Sequence, residues 1–254
     1  MRKPDELRGA VEEYLERLRF SPELGGLREA LQYALAGGGK RIRPVLCLAT
    51  AEAAGGDPDE VLPAAAALEL VHSFSLVHDD LPALDDDDQR RGRPTAHVQF
   101  GEAAAILAGD ALLAEAFRLA LSTRTEIGEE LARATLGMIG GQYLDINGGG
   151  DRAELNRLKT GRLFDAAVGC GLWAADVPAE DQAPWREFGA DYGFLYQVVD
   201  DLLDADGLAQ ELGRDRARSL ARETEDSARA RLLEIPADTS VLEELVDELV
   251  TRIS

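Results

Sequence analysis

Apolar residues recur at intervals of three and four along almost the whole chain, as in Leu7, Val11, Tyr14, Leu15 and Leu18 near one end and Val241, Leu242, Leu245 and Leu249 near the other. That spacing lays an apolar stripe along one face of a helix, whereas the β-branched alternation of a half-buried strand is scarce. It predicts an all-α protein of about ten helices, roughly 5–19, 24–36, 42–54, 59–79, 95–121, 126–146, 151–176, 181–205, 215–234 and 239–253. Breaks fall at Gly37 to Gly39, Gly55-Gly56-Asp57-Pro58, Pro82, Gly148 to Gly150, Pro178 and Pro236, residue types that end helices. No repeat, Pro/Ser-rich linker or shift in composition divides the 254 residues. One domain is expected, a helical bundle around a central cavity.

Two aspartate clusters interrupt this apolar pattern, Asp79-Asp80-Leu81-Pro82-Ala83-Leu84-Asp85 and, about 120 residues on, Asp200-Asp201-Leu202-Leu203-Asp204. Each ends an apolar stretch, Leu68 to Val77 and Phe194 to Val199, where unpaired carboxylates are costly unless a positive charge joins them. The tetrad Asp85 to Asp88 taken alone also fits a solvated surface run. Asp200 and Asp204 lie one helical turn apart, and Gln197 joins their stripe. Hard oxygen ligands suit Mg2+, which takes one or two protein carboxylates and fills its shell with water and phosphate oxygens. A diphosphate could not approach bare carboxylates: at roughly 4 Å and an effective dielectric near 20, each charge pair repels by about 4 kcal/mol. Two such clusters facing one cavity would clamp a polyanionic leaving group through metal.

Asp and Glu number 48 against 27 Lys and Arg, a formal charge of −21, which repels nucleic acid and anionic membranes. No uninterrupted apolar run reaches the roughly 18 residues of a spanning helix, and Met1 to Glu6 lacks the apolar core of a signal peptide. A cytoplasmic protein is expected. Cys47 and Cys170, far apart and without metal-ligand spacing, read as reduced core residues. The only lysines are Lys3, Lys40 and Lys159. Where arginine is the default cation, a lysine points to a need for compact charge. Lys40 follows a glycine run and opens Lys40-Arg41-Ile42-Arg43-Pro44, a candidate anion site, and His72 stands two turns before Asp79 on the same helical face.

In order along the chain, Gly38-Gly39-Lys40-Arg41-Ile42-Arg43-Pro44, the stretch His72 to Thr95 (HSFSLVHDDLPALDDDDQRRGRPT), Gly109-Asp110-Ala111-Leu112-Leu113, Gly140-Gly141-Gln142-Tyr143-Leu144-Asp145, Lys159-Thr160-Gly161 and Tyr196 to Asp204 (YQVVDDLLD) resemble the motifs of the trans-type polyprenyl diphosphate synthases. The resemblance runs from about Leu27 to Leu212 and is nearest the bacterial farnesyl diphosphate synthase branch, whose first aspartate-rich region carries the same two-residue insertion.

The resemblance implies an isoprenoid-synthase bundle that joins isopentenyl diphosphate to an allylic diphosphate, as a homodimer without stable membrane insertion. It implies that Asp79, Asp85 and Asp200, supported by Asp80, Asp201 and Asp204, hold two or three Mg2+ ions with the allylic diphosphate. It further implies that Lys159, Thr160 and Gln197 line the reacting centre, with Arg90 on the allylic diphosphate, and that Lys40, Arg43, His72 and Arg91 bind isopentenyl diphosphate. Phe74, five residues before Asp79, would lie about 7.5 Å deeper at 1.5 Å per residue, where a ring beside the small Ser75 floors the pocket. An aromatic there resembles enzymes that stop at fifteen carbons, so farnesyl diphosphate is the expected product, with geranyl and geranylgeranyl diphosphate as alternatives. After Asp204 the chain departs from the pattern: Arg214 stands where the family has lysine, and a downstream stretch with Gly-Lys and Thr-Tyr-Pro is absent, as is part of the N-terminal region. That shortened lid keeps a non-catalytic subunit of a hetero-oligomeric synthase as a further alternative.

Overall fold

The computed structural model describes residues 1–148, 155 and 157–253. Among these the protein is almost wholly helical, with helices α1 (Pro4–Arg17), α2 (Arg28–Leu35), α3 (Ile42–Ala53), α4 (Pro58–Asp79), α5 (Ala96–Phe100), α6 (Glu102–Thr123), α7 (Thr125–Ile146), α8 (Arg162–Ala174), α9 (Ala183–Asp204), α10 (Gly207–Leu212), α11 (Arg214–Glu234) and α12 (Ser240–Thr251). The Gly149 and Gly150 break and the start of the helix expected from 151 lie outside the described residues.

The differences from the periodicity have local causes. The helix expected over 95–121 is two, because Gly101 adopts φ 88, a value open to glycine and strained for other residues. Residues 89–94 form a hairpin of two-residue strands, β1 (Gln89–Arg90) and β2 (Arg93–Pro94), with Arg90 opposite Arg93. Its turn residues Arg91 (φ 53) and Gly92 (φ 74) both have positive φ, as the two-residue turn that matches strand twist requires. α10 follows a left-handed Ala205 and was not legible as a helix. The segment expected as the start of α2 is a 3-10 turn, Pro22–Leu27.

α4 is the centre of the molecule. It packs along α6 and α3, while α8 packs on α3 and α7, and α9 runs against α11. Ala64 to Leu68, Leu70, Val71 and Val77 are buried on several sides of α4, so it carries no single apolar stripe; a helix apolar all round is one wrapped by others. Its composition would pass for a membrane span at a mean hydropathy of 1.4, yet 67% of that stretch is buried inside the protein. Cys47 and Cys170 are free and buried, as expected.

One half-buried carboxyl tests the electrostatics of this core. On α8, Asp165 is pushed up to about 6, by burial first and by Glu130, against the pull of Arg162 and Arg186. The folded protein thus holds this proton more tightly than the unfolded chain, so stability falls as pH rises from the ordinary carboxylate range through about 6. Asp165→Asn is expected to stabilise the protein near neutral pH by about 1–2 kcal/mol and to flatten the loss between mildly acidic and neutral pH. Urea denaturation at both pH values measures this, and a lower neutral-pH stability for the variant would sink it.

Candidate active site

The apolar run of α4 ends at Asp79, and the loop after it folds back on the helix terminus. The Asp85 amide donates to the Asp79 carbonyl at 2.9 Å and the Asp87 amide to the Asp80 carbonyl at 3.2 Å. Asp80 is buried and turned toward the hairpin, where Arg90 Nε donates to its Oδ1 at 2.8 Å. Asp79 has no such cation in contact. Burial pushes its carboxyl up to about 6, with Asp85 and Asp80 adding to the rise and Lys159 and Arg90 opposing it.

The end of α9 repeats this division of labour. Asp201 is buried, its Oδ2 accepting from the Leu208 amide at 2.8 Å and its Oδ1 from Gln197 Nε2 at 2.6 Å. It pins the turn into α10. Asp200 pairs with Arg252, at 2.6 Å, just past α12, and Asp204 beside it is exposed. Gln197 lies on the Asp200 and Asp204 stripe by helical spacing. Its Nε2 donates to Asp201, four residues on along the same face, and it is not among the residues that wall the two cavities described next.

Two cavities open between these helix ends. One, of about 380 Å³, lies between α4, α7 and the π-turn Arg157–Gly161, with Phe74, Ser75, Met138 and Ile139 on its apolar walls and Asp79, Lys159 and Thr160 among its polar ones. The π-turn is held against α7 at Gly141, where a Cβ would stand 2.7 Å from the Lys159 amide nitrogen; a larger residue would push it away. Lys159 Nζ donates to Asp145 at 2.8 Å. Phe74 is buried and meets the His78 ring edge-on, centroids 5.7 Å apart.

The second cavity, of about 320 Å³, is cationic: Lys40, Arg43, His72, Arg91 and Arg252 stand around it with Asp200 and Asp204. The loop before α3 is anchored by buried Arg41, which binds Glu12 at 2.8 Å, the Leu35 carbonyl at 2.7 Å and Glu69. The hairpin turn lets Arg91 donate to the Gly38 carbonyl. Arg43 lies over the Phe164 ring, 4.5 Å from its centroid. Burial holds the His72 imidazole well below its usual range, reinforced by Arg43, Arg91, Arg41 and Arg90, so it is neutral at pH 7. Burial lowers Lys40 as well, and Arg252 adds to that. Arg252 is paired with Asp200 and Arg41 with Glu69, but Lys40, Arg43 and Arg91 make no ion pair among the described residues and suit an anion of several charges. Arg43 and His72 stand in the walls of both cavities, so the two adjoin.

Among the described residues no three Asp, Glu, His or Cys side chains converge as a metal cage. Mg2+ asks for less, because waters and phosphate oxygens complete its shell. Asp79 and Asp85 at the end of α4, and Asp200, paired with Arg252, at the end of α9, are hard oxygen donors of the right chemistry.

The sequence matches the polyprenyl synthetase family model over residues 25–224. The chain belongs to that family. Among its relatives, the farnesyl diphosphate synthase of Geobacillus stearothermophilus is 41% identical over 222 residues, covering 81% of this chain and 74% of the relative. The geranylgeranyl diphosphate synthase of Cyanophora paradoxa is 40% identical over 209 residues, covering 76% and 70%. A geranyltransferase structure from Legionella pneumophila superposes with a TM-score of 0.85 at 33% identity, covering 98% of this chain and 95% of that one. The all-α bundle read from the periodicity is thus the isoprenoid-synthase fold of its structural relatives.

Two residues of this polyprenyl synthase site escaped the sequence. Arg252 lies about fifty positions beyond Asp200, and nothing local marks it out from the other arginines of a Lys-poor chain. Gln142 was visible only as part of a motif, and what distinguishes it, an amide without partners, is a tertiary property.

Proposed function

We propose that this protein is a short-chain trans-prenyltransferase that condenses isopentenyl diphosphate with dimethylallyl or geranyl diphosphate to give farnesyl diphosphate and diphosphate. The observation that carries the reading is the pair of adjoining cavities, one apolar with an undercompensated carboxylate, the other cationic, sharing Arg43 and His72. An allylic substrate needs the first, since its chain is hydrocarbon and its diphosphate must leave. Isopentenyl diphosphate keeps its diphosphate, so side chains alone can hold it in the second.

Asp79, Asp85 and Asp200 would hold Mg2+ with the allylic diphosphate. Bound there, the metal supplies charge neutralisation as the leaving group departs. Asp80 and Asp201 act behind them, fixing the hairpin and the α9–α10 turn. Lys159, oriented by Asp145, and Arg90, oriented by Asp80, add positive charge on the allylic side. Thr160, beside Lys159 in the wall of the same cavity, would line the reacting centre. In the reaction the allylic C–O bond breaks and its electron pair leaves with diphosphate. The isopentenyl double bond attacks the resulting cation, and the proton lost as the new double bond forms passes to the departed diphosphate. Lys40, Arg43, Arg91 and neutral His72 orient the second substrate by binding its diphosphate, and no protein nucleophile takes part.

We read residues 1–254 as one domain and place the enzyme in the cytoplasm, in keeping with its two buried thiols and a net charge of −21 that anionic membranes repel. A homodimer fits the exposed apolar row Ile106, Leu107 and Leu121 on α6 and Leu136, Ile139 and Tyr143 on α7, since scattered exposure is ordinary but a contiguous apolar face is not.

Purified protein incubated with Mg2+, labelled isopentenyl diphosphate and, separately, dimethylallyl, geranyl and farnesyl diphosphate tests the proposal. Fifteen-carbon product from the first two primers is expected. No condensation with any primer would overturn it in favour of a non-catalytic subunit, the reading to which the missing Gly-Lys and Thr-Tyr-Pro stretch after Arg214 otherwise points.

A further inference from the structure

The cations of Lys40-Arg41-Ile42-Arg43 are used in two different ways. Lys40 and Arg43 stand in the wall of the cationic cavity without an ion pair among the described residues, whereas the Arg41 guanidinium is buried and spent on protein acceptors. Its Nε and one terminal nitrogen bind the two oxygens of Glu12 on α1 at 2.8 and 3.3 Å, that same nitrogen donates to the Leu35 carbonyl at the end of α2 at 2.7 Å, and the other terminal nitrogen pairs with buried Glu69 on α4. Nearly every donor of the guanidinium fork is thereby used. The backbone of Arg41, just before α3, is left-handed at φ 48, a conformation costly for a residue with a side chain and kept only where the surroundings over-determine it. Two carboxylates share this one guanidinium, so Arg41 leaves no surplus positive charge for an anion. What it supplies is place.

We propose that Arg41 is a positioning residue for isopentenyl diphosphate, acting through Lys40, Arg43 and His72 by fixing their spacing rather than by touching the substrate. The inference rests on the prenyltransferase reading and adds one residue to the support of its cationic cavity. Lys40 and Arg43 flank Arg41 in the chain, and His72 lies three residues beyond Glu69, about one turn along α4. One guanidinium thus ties the loop that carries two of the phosphate-facing residues to the helix that carries the third. Arg91, the fourth, comes from the hairpin and rests on the same loop: it donates to the Gly38 carbonyl, and a Cβ at Gly39 would stand 2.8 Å from its guanidinium. A lysine could reach one of the Arg41 acceptors; the planar fork spans carboxylates on two helices and a carbonyl at once. A buried ion pair is often no more stabilising than well-packed apolar residues in its place, which lets stability and positioning be separated.

Isopentenyl diphosphate titrated calorimetrically without Mg2+ reads the cationic cavity by itself, and steady-state kinetics with Mg2+ and geranyl diphosphate adds the split between KM and kcat. Arg41→Lys keeps the charge and loses the fork. It is expected to weaken isopentenyl diphosphate about tenfold in both Kd and KM, the worth of one charge-assisted hydrogen bond, with kcat and the KM for geranyl diphosphate unchanged. Arg41→Met combined with Glu69→Met removes the buried pair as a unit and strands neither charge. That double variant is expected to melt near wild type yet to bind isopentenyl diphosphate roughly 100-fold more weakly, as misplaced binding groups do; should it fail to fold, Arg41→Lys decides alone. Wild-type affinity for isopentenyl diphosphate in folded Arg41→Lys, or equal weakening of both substrates, overturns the inference while leaving the proposed function standing. Failure of wild type either to bind isopentenyl diphosphate or to condense it overturns both.

Discussion

Asp79→Ala is expected to lower kcat/KM by about 10³-fold or more, with the fold intact. The magnitude follows from what the carboxylates around it are doing. Asp80 and Asp201 are spent on Arg90, Leu208 and Gln197, and Asp200 on Arg252. Asp79, half-buried, has no cation in contact, and its carboxyl is pushed up to about 6, chiefly by desolvation. It therefore costs stability in the unloaded protein and gives most when a divalent cation arrives. Removing it takes away a metal ligand and leaves no new unpaired partner behind, so circular dichroism and the melting temperature should hold or rise. Asp80→Ala makes the contrast: it frees Arg90 and loosens the hairpin that carries Arg91, so stability and both substrate affinities should fall together. Steady-state kinetics across a Mg2+ titration checks the pair. Activity within tenfold of wild type for Asp79→Ala would remove this residue from the metal site.

Phe74→Ala is expected to change what the enzyme makes rather than how fast it starts. Phe74 is buried against the edge of His78 on α4 and stands in the wall of the 380 Å³ cavity, five residues below Asp79. Ser75 beside it leaves its hydroxyl on the His72 carbonyl at 2.9 Å and contributes little bulk. Without the ring, a fifteen-carbon chain no longer meets a floor, and it can serve as primer for another condensation. Chromatography of the dephosphorylated products should show twenty-carbon and longer alcohols replacing the fifteen-carbon one. The change also costs about 3 kcal/mol or more in a rigid core, so the measurement belongs at a temperature where the variant is folded. An unaltered product length would move the stop elsewhere along the cavity, Met138 and Ile139 on α7 being the next candidates.

Much of this architecture is legible in the sequence because helices report themselves locally. Leu7, Val11 and Leu15 marked α1, and the apolar runs into Asp79 and Asp200 placed both cluster-bearing helix ends. The four residues assigned to one anion site, Lys40, Arg43, His72 and Arg91, do stand around one cavity. What stayed hidden was of three physical kinds. Strands of two residues, such as Gln89–Arg90, are too short to display alternation. A backbone sign, such as φ 88 at Gly101, is a choice that glycine permits but does not announce. Tertiary pairings, such as Arg252 with Asp200 or Gln197 with Asp201 rather than with the cavity, depend on which of several equally spaced neighbours wins.

Ile139, Tyr143 and Ile146 have two faces: they help wall the hydrocarbon cavity, and they are among the large apolar side chains that the single chain leaves exposed on α7. A second copy seated on that surface would act as outer lining for a chamber that belongs to its neighbour. Chain length then ceases to be a property of one polypeptide and becomes a function of enzyme concentration. Dilution through the dissociation point should broaden the product spectrum toward longer chains, and crosslinked enzyme should hold the narrow spectrum at every dilution. Assays run at nanomolar and at cellular concentrations would in that sense be comparing two different vessels.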